Sequence, residues 1–258
     1  MIKELYTAAM GMMSQQTRLE VTSNNIANAN TVGYKKDSVF ERNLIDSKAN
    51  LYNITGSAEQ SDPPIGSYIN MGQGPQQNTT NPLDFAIDGN GFFLLKDEQG
   101  REFLTRSGDF KLDEEGYIIS SNGKYVQTSS GPLNLVNEMQ SLGLQSDGRF
   151  SEIKVNQHGE IFVNNITLGT LRIVDVENEV NLEKISSSDF ILSGNNDYFD
   201  VDNLRVNIRQ GWLENSNVNV IEEMVELIKI QRNYEANSKV ITTNDSTLEE
   251  SIRTGRFF

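Results

Sequence analysis

Two segments at opposite ends of the chain carry apolar residues at alternating spacings of three and four, and this pattern constrains the fold most. Such a spacing has the 3.5-residue period of helices that pack lengthwise against another helix. The first stripe consists of Ile2, Leu5, Ala9, Met12, Gln16, Leu19, Ser23 and Ile26. The last stripe consists of Val220, Met224, Leu227, Gln231, Tyr234, Ser238, Ile241, Asp245, Leu248 and Ile252. We therefore predict a helix at each end.

The second of these helices has recognisable boundary signals. Asn219, followed three residues later by Glu222, forms a capping-box-like start, and Gly255 follows the last apolar position. We predict a helix from about Asn217 to Arg253, on the order of 55 Å long at 1.5 Å per residue. Polar residues interrupt each stripe about once per heptad, so the helices could pack within one chain or between copies. The spacing leaves both open, although the length favours assembly.

The middle of the chain alternates short apolar runs with turn signals, a pattern typical of all-β regions. The predicted turns lie at Asp97–Gly100, Glu114–Gly116, Ser121–Gly123, Asp147–Gly148, His158–Gly159 and Asn164–Asn165. Residues 108–127 and 148–169 resemble each other, which suggests a duplicated hairpin.

These patterns predict an α+β fold. A mainly-β central domain of short antiparallel strands is flanked by N- and C-terminal heptad helices that pack together as a coiled coil. Residues 46–82 hold four of the five prolines and read as an extended connector. The predicted organisation is an N-terminal assembly helix (1–32), an extended linker (33–80), a β-rich core domain (81–212) and a long C-terminal assembly helix (213–258).

Composition argues against catalysis and against nucleic-acid binding. The formal net charge of −14 repels phosphate backbones. There is no cysteine, and the one histidine, His158, stands beside a glycine where a turn is expected, so thiolate and ordinary zinc or iron sites are excluded. Asp88–Gly91 lacks the later positions of a calcium loop and reads as a turn before a strand. We expect no enzymatic activity, no cofactor, no metal and no small-molecule substrate.

Asparagines are concentrated where the first helix should end. Asn28 and Asn30, with Gly33, are predicted to stop the helix and turn the chain, since asparagine bonds nearby backbone groups and glycine adopts positive φ freely. Asn24 and Asn25 lie inside the predicted helix at some propensity cost. We predict that buried amide bonding to a neighbouring helix or subunit accounts for them.

Residues 23–35, SNNIANANTVGYK, resemble the N-terminal signature of the flagellar basal-body rod and hook proteins. Residues 5–21 are similar to the N-terminal helix of the same proteins, residues 81–95 and 103–127 to the β-rich core of the two longer rod proteins, and residues 211–252 to their C-terminal helix. Three separate motifs therefore occur in the order that the family has.

The resemblance implies a structural subunit of the flagellar rod, the drive shaft of the bacterial basal body, that forms a helical homopolymer through its terminal helices. It implies neighbouring rod and hook proteins as partners and a position in the cell envelope and periplasm. The N-terminus lacks the apolar run of a secretory signal, which agrees with passage through the flagellar type III export apparatus without a cleaved signal.

Several alternatives stay open at this point. The distal-rod type is favoured over its proximal-rod sister. Two alternatives belong to different classes of protein. One is a non-polymerising flagellar export or assembly factor, and the other is a polysaccharide-binding or polysaccharide-cleaving β protein. The expected assembly interface consists of Ile2, Leu5, Ala9, Met12, Leu19, Asn24, Asn25, Ile26, Asn28, Asn30, Gly33, Tyr34, Val220, Met224, Leu227, Gln231, Tyr234, Ile241 and Leu248.

Overall fold

The computed structural model describes residues 2–41, 65–141, 153–163, 166–177, 181–193, 198–201 and 207–255. The chain divides into two compact units. The helical unit comprises Met1–Ala27, Asp37–Asn70 and Val218–Phe258, and the β unit comprises Asn28–Lys36 and Met71–Asn217. The chain therefore passes from one unit to the other four times.

The described helices are α1 (Ile2–Ala27), α2 (Leu135–Ser141) and α3 (Val220–Gly255). The described strands are β1 (Asp37–Glu41), β2 (Ile65–Ile69), β3 (Gln76–Asn78), β4 (Phe85–Asp88), β5 (Phe92–Lys96), β6 (Glu102–Thr105), β7 (Phe110–Leu112), β8 (Ile118–Ser120), β9 (Tyr125–Thr128), β10 (Gly131–Pro132), β11 (Lys154–Val155), β12 (Glu160–Val163), β13 (Ile166–Thr170), β14 (Ile173–Val176), β15 (Leu182–Lys184), β16 (Asp189–Leu192), β17 (Tyr198–Asp200), β18 (Asn207–Gln210) and β19 (Trp212–Glu214).

In the helical unit, α1 and α3 pack against each other, and β1 and β2 form an antiparallel pair. The first predicted helix is confirmed, and it ends at Ala27 where the asparagine-rich turn begins. Part of the segment predicted as a linker is thus a two-stranded ribbon. The residues between these two strands lie outside the described part of the chain.

The C-terminal helix is also confirmed, but its predicted start at Asn217 is wrong by three residues. Asn219 is the N-cap, because its Oδ1 accepts a hydrogen bond from Ile221 N at 3.2 Å. Asn217 stays outside the helix, since its side chain accepts from Lys36 N at 2.7 Å and donates to Gly72 O at 2.8 Å. Local propensity could not reveal these distant partners.

The β unit is built around a 10-stranded antiparallel sheet whose main path runs β15-β16-β6-β5-β9-β8-β7. Central strand β5 pairs with β6 along one edge, and with β9 and β14 along the other. Three smaller groups accompany it, namely β11-β12-β13, β4 with β18, and β3 with β19. The α+β class, with a mainly antiparallel central region and terminal helices that pack together, is confirmed.

Four turns of the β unit share one hydrogen-bond pattern. They begin at Asp97, Asp113, Ser120 and Asn156, and a glycine with positive φ follows each of these residues three positions later. The glycine N–H donates to the first residue's carbonyl at 2.9–3.2 Å, while the first side chain accepts from the backbone N–H four residues on at 2.7–3.2 Å. Such self-contained turns explain why the spacing predicted them.

The predicted turns at Asp97–Gly100, Glu114–Gly116, Ser121–Gly123 and His158–Gly159 are thus confirmed. Those at Asp147–Gly148 and Asn164–Asn165 lie outside the described residues. The two similar stretches form two meanders, β7-β8-β9 and β11-β12-β13. His158 is a turn residue, as predicted, and its N–H donates to Asn156 Oδ1 at 3.0 Å.

Three of the buried phenylalanine rings in the core of the β unit contact one another. Phe93 packs edge-on against Phe110 at 5.2 Å between ring centroids, and Phe85 lies 6.0 Å from Phe110. Helix α2 contributes Leu135 and Met139 to the same cluster. Burial of side chains of this size supplies most of the stability of such a unit.

Candidate assembly surface

The contact between α1 and α3, here called the helix seam, is marked by two residue pairs. Asn25 Nδ2 donates to Glu223 Oε2 at 3.2 Å. At the other pair, a Cβ on Gly11 would lie 3.1 Å from Asn237 Nδ2. The two helices run antiparallel, and the two pairs are fourteen residues apart on each of them. Fourteen residues are four steps of 3.5 residues, so the spacing of the contacts is that of a heptad repeat on both helices.

The α1 side of the helix seam is small and polar. Its residues follow the three–four spacing and are buried or half-buried, and they are Ala8, Gly11, Gln15, Arg18, Thr22 and Asn25. On α3 the buried side chains are Glu223 and Ile230, at 5% and 2% exposure. The fully buried positions of this contact therefore combine small or polar residues of α1 with Glu223 and Ile230 of α3.

The apolar stripes predicted from the sequence lie one residue later than the helix seam on both helices. Ala9, Ser23 and Ile26 follow the buried Ala8, Thr22 and Asn25, and on α3 Met224 and Gln231 follow the buried Glu223 and Ile230. One residue is about 100° of helix rotation, so each stripe lies beside the seam rather than in it.

The predicted interface residues thus have three different environments. The half-buried ones are Ala9, Met12, Leu19, Ile26, Asn28, Val220, Leu227, Ile241 and Leu248. The exposed ones are Asn24, Asn30, Met224, Gln231 and Tyr234, and the buried ones are Asn25, Gly33 and Tyr34. The side chains of Ile2 and Leu5 lie outside the described set.

A continuous apolar surface is exposed on the first half of α3. It consists of Ile221, Met224, Val225 and Ile228, which are 75%, 51%, 49% and 49% exposed, and we call it the α3 apolar patch. Of the thirteen large exposed hydrophobic residues in the described part of the chain, ten belong to the helical unit. Exposed apolar surface concentrated in this way makes this face the candidate assembly surface.

The asparagine-rich segment is organised by specific hydrogen bonds. Buried Asn25 pairs with both backbone groups of Asp37, accepting from N at 3.0 Å and donating to O at 2.9 Å. With its bond to Glu223, this confirms the expected buried amide bonding for Asn25. Asn24 is exposed. Asn28 ends the helix, since its carbonyl accepts from Thr31 N at 3.1 Å.

Gly33 has a conformation and a setting that require glycine. Its φ is +69°, and a Cβ there would lie 2.3 Å from Ser107 N. Its N–H donates to Glu214 O at 2.8 Å. Tyr34 and Lys35 follow in the interior of the β unit at 1% and 0% exposure. The segment predicted as a turn is therefore built into the β unit.

Two hydrogen-bonded residues of the β unit, Tyr198 and Glu102, have shifted pKa values. Burial raises the pKa of Tyr198 to about 12, together with its 2.6 Å hydrogen bond to Glu102. Burial alone would raise the pKa of Glu102, but the hydrogen bonds from Tyr198 and Lys96 lower the pKa overall.

Among the described residues, no group of three or more acidic or histidine side chains is arranged to hold a metal ion.

Sequence reasoning missed the buried charges around this segment. Lys35 and Glu214 form an ion pair at 2.6 Å with side chains 1% exposed, and Arg106 lies beside them. Lys35 within the motif of residues 23–35 was the only sequence signal for this ion pair, because its partner stands 179 positions away.

No helix of the described chain is both long enough and apolar enough to span a bilayer.

Comparison with known proteins assigns the class of this architecture. Three family models match in chain order: "Flagella basal body rod protein" over residues 5–35, "Flagellar hook protein FlgE/F/G D1 domain" over 86–163, and "Flagellar basal body rod FlgEFG protein C-terminal" over 209–254. The matches include α1 with its turn, much of the β unit, and α3.

Relatives extend the match to nearly the whole chain. The flagellar basal-body rod protein FlgG of Bacillus subtilis (strain 168) is 31% identical over 99% of this chain and 100% of its own. FlgG of Borreliella burgdorferi is 32% identical over 96% and 97%, and FlgF of Rhizobium meliloti is 29% identical over 97% and 96%. The chain belongs to the flagellar basal-body rod protein family. It is a structural subunit of the bacterial flagellar rod.

Proposed function

We propose that this subunit polymerises through its terminal helices, with the α3 apolar patch packed against a second copy. The observation that carries the proposal is the division of surfaces on α3. The fully buried positions of the helix seam are mostly small or polar, whereas the side chains of the α3 apolar patch remain at least 49% exposed. Covering the exposed fraction of these four side chains would contribute on the order of 4 kcal/mol per copy.

The helix seam itself is proposed to be a short antiparallel coiled coil. The equal spacing of its two marker pairs on both helices supports this geometry. Polar groups such as Asn25 and Glu223 would set the alignment of the helices rather than their affinity, as polar seam residues do in coiled coils.

We favour the distal-rod type. The similarity to FlgG proteins of several bacteria, at 29–32% identity, supports this choice. Similarity to FlgF proteins at 28–29% keeps the proximal-rod sister as the alternative.

The remaining assignments follow from membership of the family. We propose neighbouring rod and hook proteins as partners, passage through the flagellar type III export apparatus without a cleaved signal, and a final position in the basal body within the cell envelope. We propose no enzymatic activity, no cofactor, and no nucleic-acid or small-molecule partner. The net charge of −14 supports the exclusion of nucleic acid.

The test is complementation of a strain that lacks this gene, followed by electron microscopy of its basal bodies. Without the gene we expect a rod stub without a hook, and the stub length separates a distal subunit from a proximal one. Ile228→Asp should fail to restore the rod although the protein folds, because a charge in the patch cannot be buried between copies.

Ile221→Gln is a weaker change at the edge of the same patch and should restore rods only in part. If the Ile228→Asp protein builds normal rods, the patch is not an assembly surface. An export or assembly factor that does not polymerise would be absent from the finished rod, so mass spectrometry of purified basal bodies tests that alternative.

A further inference from the structure

Glu214, the last residue of β19, joins three distant parts of the β unit. Its side chain is 1% exposed. One carboxylate oxygen accepts from Lys35 Nζ at 2.6 Å and from Gly74 N at 2.9 Å, and the other accepts from Arg106 Nη1 at 3.4 Å. A single carboxylate therefore fixes the asparagine-rich turn, the segment before β3 and the loop after β6.

Asn217 extends the same arrangement. Its Oδ1 accepts from Lys36 N at 2.7 Å, and its Nδ2 donates to Gly72 O at 2.8 Å. Lys35 Nζ donates to the same carbonyl of Gly72 at 3.0 Å. We call the set of Lys35, Gly72, Gly74, Arg106, Glu214 and Asn217 the junction node.

The junction node allows little variation in its backbone. A Cβ on Gly74 would lie 2.0 Å from Asn215 O, so the chain approaches there as closely as only glycine permits. Lys184 Nζ also donates to Lys35 O at 2.8 Å and stands 4.0 Å from the centre of the Tyr34 ring. These contacts hold the Lys35 backbone from one side while Glu214 holds its side chain from the other.

The position of the node along the chain suggests its purpose. Lys36, Met71 and Asn217 are the residues at which three of the four passages leave or enter the β unit. Each of them is part of the node or adjacent to it. The node thus brings together, inside the β unit, the ends of the segments that lead to β1, from β2 and to α3.

Stability alone is a poor explanation for such a node. Burying an ion pair costs desolvation free energy that its attraction often only just offsets, and an apolar pair of similar volume is frequently as stable. The best-established role of buried polar groups is to select one structural arrangement among several.

We propose that Lys35, Glu214 and Asn217 are positioning residues that hold these three chain ends in one arrangement, and that rod assembly requires this arrangement. The inference rests on the proposed polymerisation through the terminal helices. In a rod, each copy must present its helices alike, because contacts that repeat along a helical polymer admit one geometry.

The first test replaces the buried pair by apolar side chains, Lys35→Met with Glu214→Leu, in the full chain. We expect the purified protein to melt within about 4 °C of the wild type. Cells that carry it in place of the wild-type gene should lose swimming and complete rods. As a control, Arg172→Gln with Asp200→Asn removes an exposed ion pair and should leave both swimming and melting temperature unchanged.

A second variant protects the test against misfolding of the first. Asn217→Ala keeps the buried charges paired but removes the bonds to Lys36 and Gly72, and it should also impair rods at a near-normal melting temperature. If both variants swim like the wild type, or if swimming fails only in variants that no longer fold, the node is merely structural and the proposal is wrong.

The outcome is separable from that of the proposed function, since both node variants retain the α3 apolar patch. Normal rods from Ile228→Asp would reject assembly through the patch. Normal rods from the node variants together with failure of Ile228→Asp would reject the node alone.

Discussion

Asn25 Nδ2 lies 3.2 Å from Glu223 Oε2, and this hydrogen bond joins the end of α1 to the start of α3 across 198 positions of the chain. The same amide pairs with the backbone of Asp37, at the start of β1. Asn25 therefore connects three elements of the helical unit, at 1% exposure. A buried amide with several partners in this way stabilises one alignment of the elements.

Replacing Asn25 by Leu should lower the free energy of unfolding of the helical unit by about 1–3 kcal/mol, because the buried polar groups of Asp37 and Glu223 lose this partner. Urea denaturation followed by far-UV circular dichroism measures the change. Asn24→Leu is the matched control, since Asn24 is exposed on the same turn and should change stability by less than about 0.5 kcal/mol. Equal effects would mean that the amide bonds of Asn25 contribute nothing specific.

Substitutions at two isoleucines on α3 should change the free energy of unfolding by different amounts, because one side chain is buried in the helix seam and the other is exposed in the α3 apolar patch. Ile230 is 2% exposed in the helix seam, so Ile230→Asp should cost about 3 kcal/mol or more by burying a charge. Ile228 is 49% exposed, and Ile228→Asp should stay within about 0.5 kcal/mol of wild type. Chemical denaturation of the two purified variants decides, and equal destabilisation would contradict the assignment of the two faces.

Leu227 and Ile241 are half-buried, so aspartate at either position would disturb the helix seam and the neighbouring apolar stripe together. We expect loss of assembly from such variants with the β unit still folded. Limited proteolysis checks this, because a folded β unit resists cleavage.

Gly33 can be tested against another glycine of the same unit. Gly33→Ala should destabilise the β unit by about 3 kcal/mol, since the new Cβ meets backbone atoms in addition to the strain of positive φ. Gly123→Ala has a similar φ of +74° but nothing within 4 Å of its Cβ, and should cost only about 1 kcal/mol. Denaturation midpoints of both variants measure the difference. Similar losses would show that the close approach to Ser107 is relieved easily.

The raised pKa of Tyr198 leads us to expect a loss of stability at high pH. Its pKa is raised from 10.0 to about 12, so the protonated phenol is favoured in the folded state. The resulting stability is fully present below the ordinary pKa and is lost as the pH rises through about 12. Because Tyr198 is partly exposed, solvent screening limits the change to roughly 1 kcal/mol.

The measurement compares wild type with Tyr198→Phe from about pH 9 to about pH 12 by denaturant titration. Other tyrosines and lysines titrate in both proteins, so only the difference between their free energies of unfolding is informative. We expect the free energy of unfolding of the wild type to fall relative to that of Tyr198→Phe as the pH rises. A constant difference would mean that the bond to Glu102 does not perturb Tyr198.

The contact between α1 and α3 was anticipated only in part from sequence. The three–four spacing correctly predicted helices that pack together, but the predicted stripes lie beside the contact, since Ala8 and Asn25 are buried where Ala9 and Ile26 were expected. A stripe that repeats every 3.5 residues has neighbouring stripes with the same period. Which of them faces the partner helix depends on polar groups such as Glu223, whose hydrogen bonds spacing does not reveal.

The sequence by itself determined the local structure of this protein: the two terminal helices, the N-cap at Asn219 and the turns that close on their own side chains. These depend on residues within about four positions of each other, so their free energies can be read from the chain. Only the tertiary structure decided the pairing of β5 with β14, the buried pair of Lys35 with Glu214, and the side of α3 that stays exposed. These contacts join residues tens to hundreds of positions apart, and their stability comes from burial that exists only once the whole chain has folded.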